Sequence, residues 1–289
     1  AWITAALPGS PDLLTRRLPP LVHPYLEPGR LATLYHPAVV YGYLATAGFG
    51  LWLTLLGSPG TRRMRTWTWV WNLGLLGGAL AVLGGAEPLG PAPWAFPGWI
   101  HAVLGLAGSL VGWEAARAAL RQPRLPAGGW FLLAAIAWWW AGFALTLAAV
   151  AAGHRLPLEL LGAFHRQLLV GLQLPALAVG ALCYLVPALT RRPLYSGRLA
   201  WVALWSLAAA GPLAAAATAG EGWPAWLGGL GVVGRVLLLL PVLAVATNLY
   251  RTVAGSWERL STPAGWFAAG GAGFLLLWAL QEALHAGGW

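Results

Sequence analysis

The sequence predicts an all-α protein, a polytopic membrane bundle of about eight transmembrane helices, and three observations carry that prediction. The chain is 59% hydrophobic and only 9% charged, a balance that ordinary soluble domains do not show. Apolar runs recur at roughly 31–57, 66–85, 97–118, 128–152, 161–187, 197–219, 224–249 and 263–285, and several reach the ~20 residues that cross about 30 Å of hydrocarbon as a helix. The six histidines and eleven of the seventeen basic residues, every one of them arginine, sort to opposite ends of those runs. Only helices and closed barrels satisfy their backbone in lipid. Runs such as 232–246 lack the alternation of barrel strands, so the helical reading wins.

Each element follows from its flanks. Residues 1–30 contain six prolines and are expected to form an ordered external segment ahead of a single membrane domain over 31–289, not a signal peptide. Ala1–Pro8 has the character of the end of an earlier helix, and His285–Trp289 stops just after one, which is compatible with a further portion of the protein at either end. Span one carries His36 and leads to Arg62, Arg63 and Arg65, and Trp67 opens span two. Trp94, Trp99 and His101 mark the start of span three, and Arg117, Arg121 and Arg124 its far end. Span four runs from Trp130 towards His154, and span five from His165 to Arg191 and Arg192. Arg198 and Trp201 open span six, and Trp223 and Trp226 open span seven, which leads to Arg251. Trp257 and Arg259 precede span eight, which ends at His285. Tryptophan at such boundaries fits the headgroup level, and short arginine-rich loops are held in the cytoplasm. The histidine face, with His23, is therefore expected outside, in the periplasm of an inner membrane. Gly74, Gly77 and Gly78, and Gly270, Gly271 and Gly273, are expected to permit close helix contact.

The composition excludes several functions. A net charge of +9 sits in short loops where topology explains it, so no nucleic acid is expected. One cysteine cannot build an intrachain disulfide, and Cys183 reads as a small core residue. No phosphate loop, Gly-x-Ser-x-Gly, His-x-x-x-His or Cys-x-x-Cys occurs, which removes the familiar signatures of nucleotide, hydrolase and metal sites.

The residues that could carry chemistry are few. His36 lies one turn inside span one, where an imidazole needs a partner. Heme iron is one such partner, and a hydrogen bond to a neighbouring carbonyl is the other. His165 is read either as a ligand or as a side chain snorkelling beside Arg166. His285 lies on the same membrane side as His36 and is a second axial candidate. His101 is read as interfacial, and His23 and His154 as solvated loop residues. Arg235 stands about halfway through span seven, where a charge is expensive unless paired; Glu282, Glu159 or a cofactor carboxylate could pair with it.

The stretch Tyr184-Leu185-Val186-Pro187-Ala188-Leu189-Thr190-Arg191-Arg192-Pro193-Leu194-Tyr195-Ser196-Gly197-Arg198-Leu199-Ala200 resembles the loop after the sixth helix in the large subunit of heme–copper oxidases, in the branch of cbb-type oxidases and nitric-oxide reductases. Gly29-Arg30-Leu31 with His36 and Ala38-Val39 is similar to that family's second helix, which bears a low-spin heme ligand. Trp69-Val70-Trp71-Asn72-Leu73 is similar to the third, Trp99 through Gly129-Trp130 to the fourth and fifth, and Ala209-Ala210-Gly211-Pro212 to the seventh. The resemblance covers roughly residues 29–260 and makes the eight spans the family's helices two to nine.

The departures shape what the resemblance implies. Leu213-Ala214 stands where the family has two copper histidines, Gln167 where it has the third, with His165 two residues away, and an aliphatic residue near Leu207 where it has a tyrosine. The helix that supplies His-x-His would lie beyond residue 289. Copper, and reduction of oxygen or nitric oxide by this chain itself, are therefore not expected. The implied function is a degenerate relative serving as a heme b electron-transfer subunit. His36 would be one axial ligand, displaced by one residue and so rotated by about 100° on a helix. His285, His165 or a residue outside the sequence would be the other. Its partners would be the bilayer, other membrane subunits and a periplasmic c-type cytochrome. A cofactor-free scaffold beside an active redox subunit is the alternative from another class, and a heme or copper sensor or transporter is the third.

Overall fold

Among the described residues, eight helices long and apolar enough to cross a membrane form the bundle. The computed structural model describes residues 28–57, 60–90, 96–152, 158–218 and 224–286, and no strand occurs among them. Helix α1 covers 28–55, as α-helical Pro28–Pro37, π-helical Ala38–Ala45 and α-helical Thr46–Leu55. Then come α2 (Arg62–Leu83), α3 (Gly98–Leu120) and α4 (Ala127–Ala152). Helix α5 covers 158–190, as Leu158–Arg166, a π-helical Gln167–Gln173 and Leu174–Thr190. Helix α6 is Gly197–Ala215, α7 covers 225–253 in two parts, Ala225–Leu237 and Leu239–Val253, and α8 is Pro263–Ala286. The ends agree with the apolar runs to within a few residues. Residues 28–30, expected in the external segment, already belong to α1, while His23, His154 and residues 1–27 lie outside the described residues.

Local chemistry accounts for the starts and breaks. Thr61 accepts the Met64 N–H at 3.2 Å and Ser196 accepts that of Leu199 at 3.2 Å, each satisfying a donor of the first turn of α2 or α6. The break in α7 at Leu238 precedes Pro241, whose ring excludes the carbonyl one turn earlier. Pro175, just after the π-helical turn of α5, likewise cannot donate to residue 171.

Successive helices pack against each other, and α5 also touches α1, α6, α7 and α8. It is the most enclosed span, 67% buried, whereas α2 is 22% and α8 only 17% buried. The core at α5 is filled by Phe131, Leu172, Ala176 and Leu207, and a second aromatic layer joins Phe49, Trp52, Trp71 and Trp139. Gly74 and Gly78 meet Leu104, Ile100 and Phe96 closely, as expected. The glycines of α8 do not behave as expected: around Gly270, Gly271 and Gly273 nothing lies within 4 Å of a would-be Cβ. Their face stays open on the outside of the bundle.

The Arg-Pro-Leu-Tyr-Ser loop is held as a structural clamp. Ser196 N–H donates to Asn248 Oδ1 at 2.9 Å, Asn248 Nδ2 donates to the Ser196 carbonyl at 2.8 Å, and Tyr195 N–H donates to Thr252 Oγ1 at 3.0 Å. Arg192 donates to the Ala254 carbonyl, Arg259 to that of Thr190, and Arg251 stacks over Tyr195. The segment that carries the family resemblance thus ties α5 and α6 to the end of α7.

Candidate functional site

The structure sorts the sequence-nominated residues into three places. The first is interior. His165 and His101 are each 3% exposed, so His165 does not snorkel and His101 is enclosed by protein. Both flank Tyr41, which stands in the π-helical part of α1, and His165 precedes the π-helical turn of α5. A π-helical turn adds a residue to the helix circumference and turns the side chains near it. His165 Nδ1 lies 2.9 Å from the Gly142 carbonyl. A carbonyl only accepts, so Nδ1 carries a proton, and Tyr41 Oη–H donates to Nε2 at 3.0 Å. Thr146 Oγ1 stands 3.3 Å from the same Nδ1. His101 Nε2 accepts the Phe96 N–H at 3.3 Å, and its ring meets Tyr41 edge-on at 5.6 Å.

The sequence shows only half of this constellation: nothing local marks Tyr41, and the place of His101 at a helix start reads as interfacial. The cavity among Tyr41, His101, Trp139, Phe143 and His165 measures about 10 Å³, room for about one water. A macrocycle does not fit there. Among the described residues no three His, Cys, Asp or Glu side chains are close enough to share a metal ion. Gln167 is half-buried, Leu213 half-buried and Ala214 buried, and the last two offer no donor.

The second place is the outer surface. His36 is exposed on α1 and His285 on α8. Both helices flank an apolar groove of about 430 Å³, floored by α5 and lined by Leu44, Ala47, Gly48, Leu174, Phe274 and Trp278 among others. His285 follows Trp278 by seven residues, about two α-helical turns, and His36 precedes Leu44 by eight residues that run mostly through the π-helical part of α1. Since α1 and α8 run antiparallel after seven crossings, both imidazoles lie at the same end of the groove. The groove is apolar and open, and the two imidazoles stand beyond its lining on the helices that flank it; an aromatic nitrogen base is a donor that suits heme iron.

The third place is the charge in α7. Arg235 Nε lies 3.5 Å from Glu282 Oε2, across to α8, with side chains 20% and 31% exposed. Glu282 is thus the partner among those the sequence offered, and the pair joins two helices in the apolar layer.

No protein-family model matches the chain. The chain is similar to cytochrome c oxidase subunit 1 of Rhodobacter capsulatus, 29% identical over 164 residues that make up 49% of this chain and 29% of that protein. It is also similar to the cbb3-type cytochrome c oxidase subunit CcoN1 of Stutzerimonas stutzeri, 37% identical over 95 residues, 32% of this chain and 19% of that one. The chain matches less than a third of the length of these curated relatives. The likeness supports a relation to the heme–copper oxidase superfamily.

Proposed function

We propose that this chain is a heme-b electron-transfer subunit of a membrane redox complex and a catalytically degenerate relative of the oxidase large subunit. One observation carries the reading: His36 and His285 stand at the same end of the two helices that flank an apolar groove left open by the bundle. His36 would be one ligand of the heme, with His285 or a residue of a neighbouring helix as the other. The bound group supplies one-electron redox chemistry, and the chain supplies ligation, burial and tuning. Leu44, Ala47 and Phe274 exclude water along the groove, and the open glycine face of α8 gives a neighbouring subunit a place to close it. Donor-free Leu213 and Ala214 at the copper positions leave oxygen and nitric-oxide reduction outside its chemistry.

With the arginine-rich loops in the cytoplasm, His36 faces the periplasm of an inner membrane, where a c-type cytochrome exchanges electrons with it. The test is heme content per chain after purification, with His36→Ala and His285→Ala alongside. Loss in both variants supports bis-histidine ligation within the chain. Loss in His36→Ala alone assigns the second ligand to another helix.

A filled interior favours one other reading, a cofactor-free scaffold. The interior histidines are satisfied by Tyr41, Gly142 and Phe96, and Leu172 occupies the space against Gly211. A heme-free chain that co-purifies with redox subunits would select it.

A further inference from the structure

At the arginine-rich end of the bundle, the start of α2 and the last turns of α3 enclose a cavity of about 350 Å³ lined by Thr61, Arg62, Arg63, Glu114, Arg117 and Arg121. Positive-inside topology explains arginines in this loop region, but it does not require four of them, from two helices, to face one space. Four guanidinium groups against one carboxylate leave three positive charges uncompensated, and among the described residues none of the five forms an ion pair. Like charges gathered this way repel each other until an anion enters. The first-turn amides of the 22-residue α2 add to the positive potential. Planar guanidinium forks suit phosphate oxygens in a bidentate geometry.

The flank of the cavity is apolar. Trp113 lies one turn before Arg117 on α3, Leu120 adjoins Arg121, and Trp69 and Leu73 follow on α2; all four are exposed on the outside of the bundle. A cationic cavity at the arginine-rich end, with exposed apolar side chains further along the same two helices, complements a charged headgroup joined to acyl chains. Basic pockets between transmembrane helices bind anionic headgroups in this manner.

We propose that this cavity binds the phosphate headgroup of an anionic phospholipid, with the acyl chains against Trp69, Leu73 and Trp113. Arg117 and Arg121 hold the phosphate from α3 and Arg62 and Arg63 from α2. Glu114 keeps the cavity from being uniformly positive and favours a singly charged headgroup that also offers hydroxyl donors.

The experiment measures phosphatidylglycerol retained by the full chain in phosphatidylcholine nanodiscs, by native mass spectrometry across a titration. The R117Q/R121Q variant is expected to bind phosphatidylglycerol about 25-fold more weakly, about fivefold per arginine, as a contribution of about 1 kcal/mol per basic residue near the membrane surface implies. R62Q/R63Q, on the opposite wall, should show a similar loss and guards against a folding defect in the first variant. R124Q/R198Q removes equal charge from the same end outside the cavity and should stay within twofold of the parent. The proposal is overturned if both cavity variants stay within twofold of the parent, or if R124Q/R198Q falls as far as they do. It is also overturned if equimolar inorganic phosphate displaces the lipid, because the site would then be one for the free ion.

Discussion

Gly234→Ala is the sharpest structural test of how α6 and α7 meet. A Cβ built on Gly234 falls 2.3 Å from Ala214 N, 2.5 Å from the Leu213 carbonyl carbon and 2.7 Å from Leu213 Cβ. One turn earlier, a Cβ on Gly231 falls 2.0 Å from Ala217 N. Carbon contacts relax at about 3.5–4.0 Å, so α7 must retreat from α6 by more than about 1 Å to admit one methyl group. The obstacles are mainly backbone atoms, which no rotamer change can move. Overpacking ordinarily costs about 1–3 kcal/mol, and the rigidity of this contact puts Gly234→Ala at about 3 kcal/mol. Gly228 and Gly271 have nothing within 4 Å of the same position. Alanine there gains about 0.8–1.0 kcal/mol of helix propensity in a soluble helix, so Gly228→Ala and Gly271→Ala should be neutral to stabilising. The assay is equilibrium unfolding in mixed micelles, followed by tryptophan fluorescence, for all three variants. Equal stabilities for Gly234→Ala and Gly228→Ala would refute the backbone contact.

Three further outcomes follow from named contacts. Glu282→Leu should destabilise the chain by about 3 kcal/mol, because it leaves Arg235 charged in the apolar layer. Arg235→Met combined with Glu282→Leu should recover most of that loss, and a double variant as unstable as Glu282→Leu would show that the pair is not coupled. Asn248→Ala removes two hydrogen bonds to Ser196 and should cost about 2 kcal/mol at about 1 kcal/mol per bond; thermal unfolding unchanged from the parent would count against the clamp. Tyr41→Phe should cost about 0.6–1.7 kcal/mol, the range of interhelical hydrogen bonds in membranes, and leave heme content intact. Loss of heme in that variant would move the cofactor to the interior histidines.

The helices were legible because depth in a membrane is written in one dimension. Apolar length, tryptophan and arginine fix where each span begins and ends, and α4, expected at 128–152, is Ala127–Ala152. The direction in which a side chain faces was far less legible. Lipid and core are both apolar, so the periodicity that separates inside from outside in a soluble helix is weak here. His36 and His101 both lie near a helix start. His36 is exposed, whereas His101 is buried because α3 packs between α2 and α4 and the loop residue Phe96 donates to its ring. The glycines of α8 invited the same error, since sequence shows them as packing residues without naming the partner they would pack against. Tyr41 carried no signal at all; its importance comes from π-helical turns in two helices that no local motif announces. Arg235 was legible because a mid-span charge needs a counter-charge, and acidic residues are scarce.

The proposed function stands on heme ligation by His36 beside the groove. A reduced-minus-oxidised absorption spectrum of the chain purified from its membrane, beside that of His36→Ala, tests it most directly. The expected result is a b-type spectrum in the parent and its loss or clear displacement in the variant. A parent without heme, or a variant with an unchanged spectrum, would contradict it.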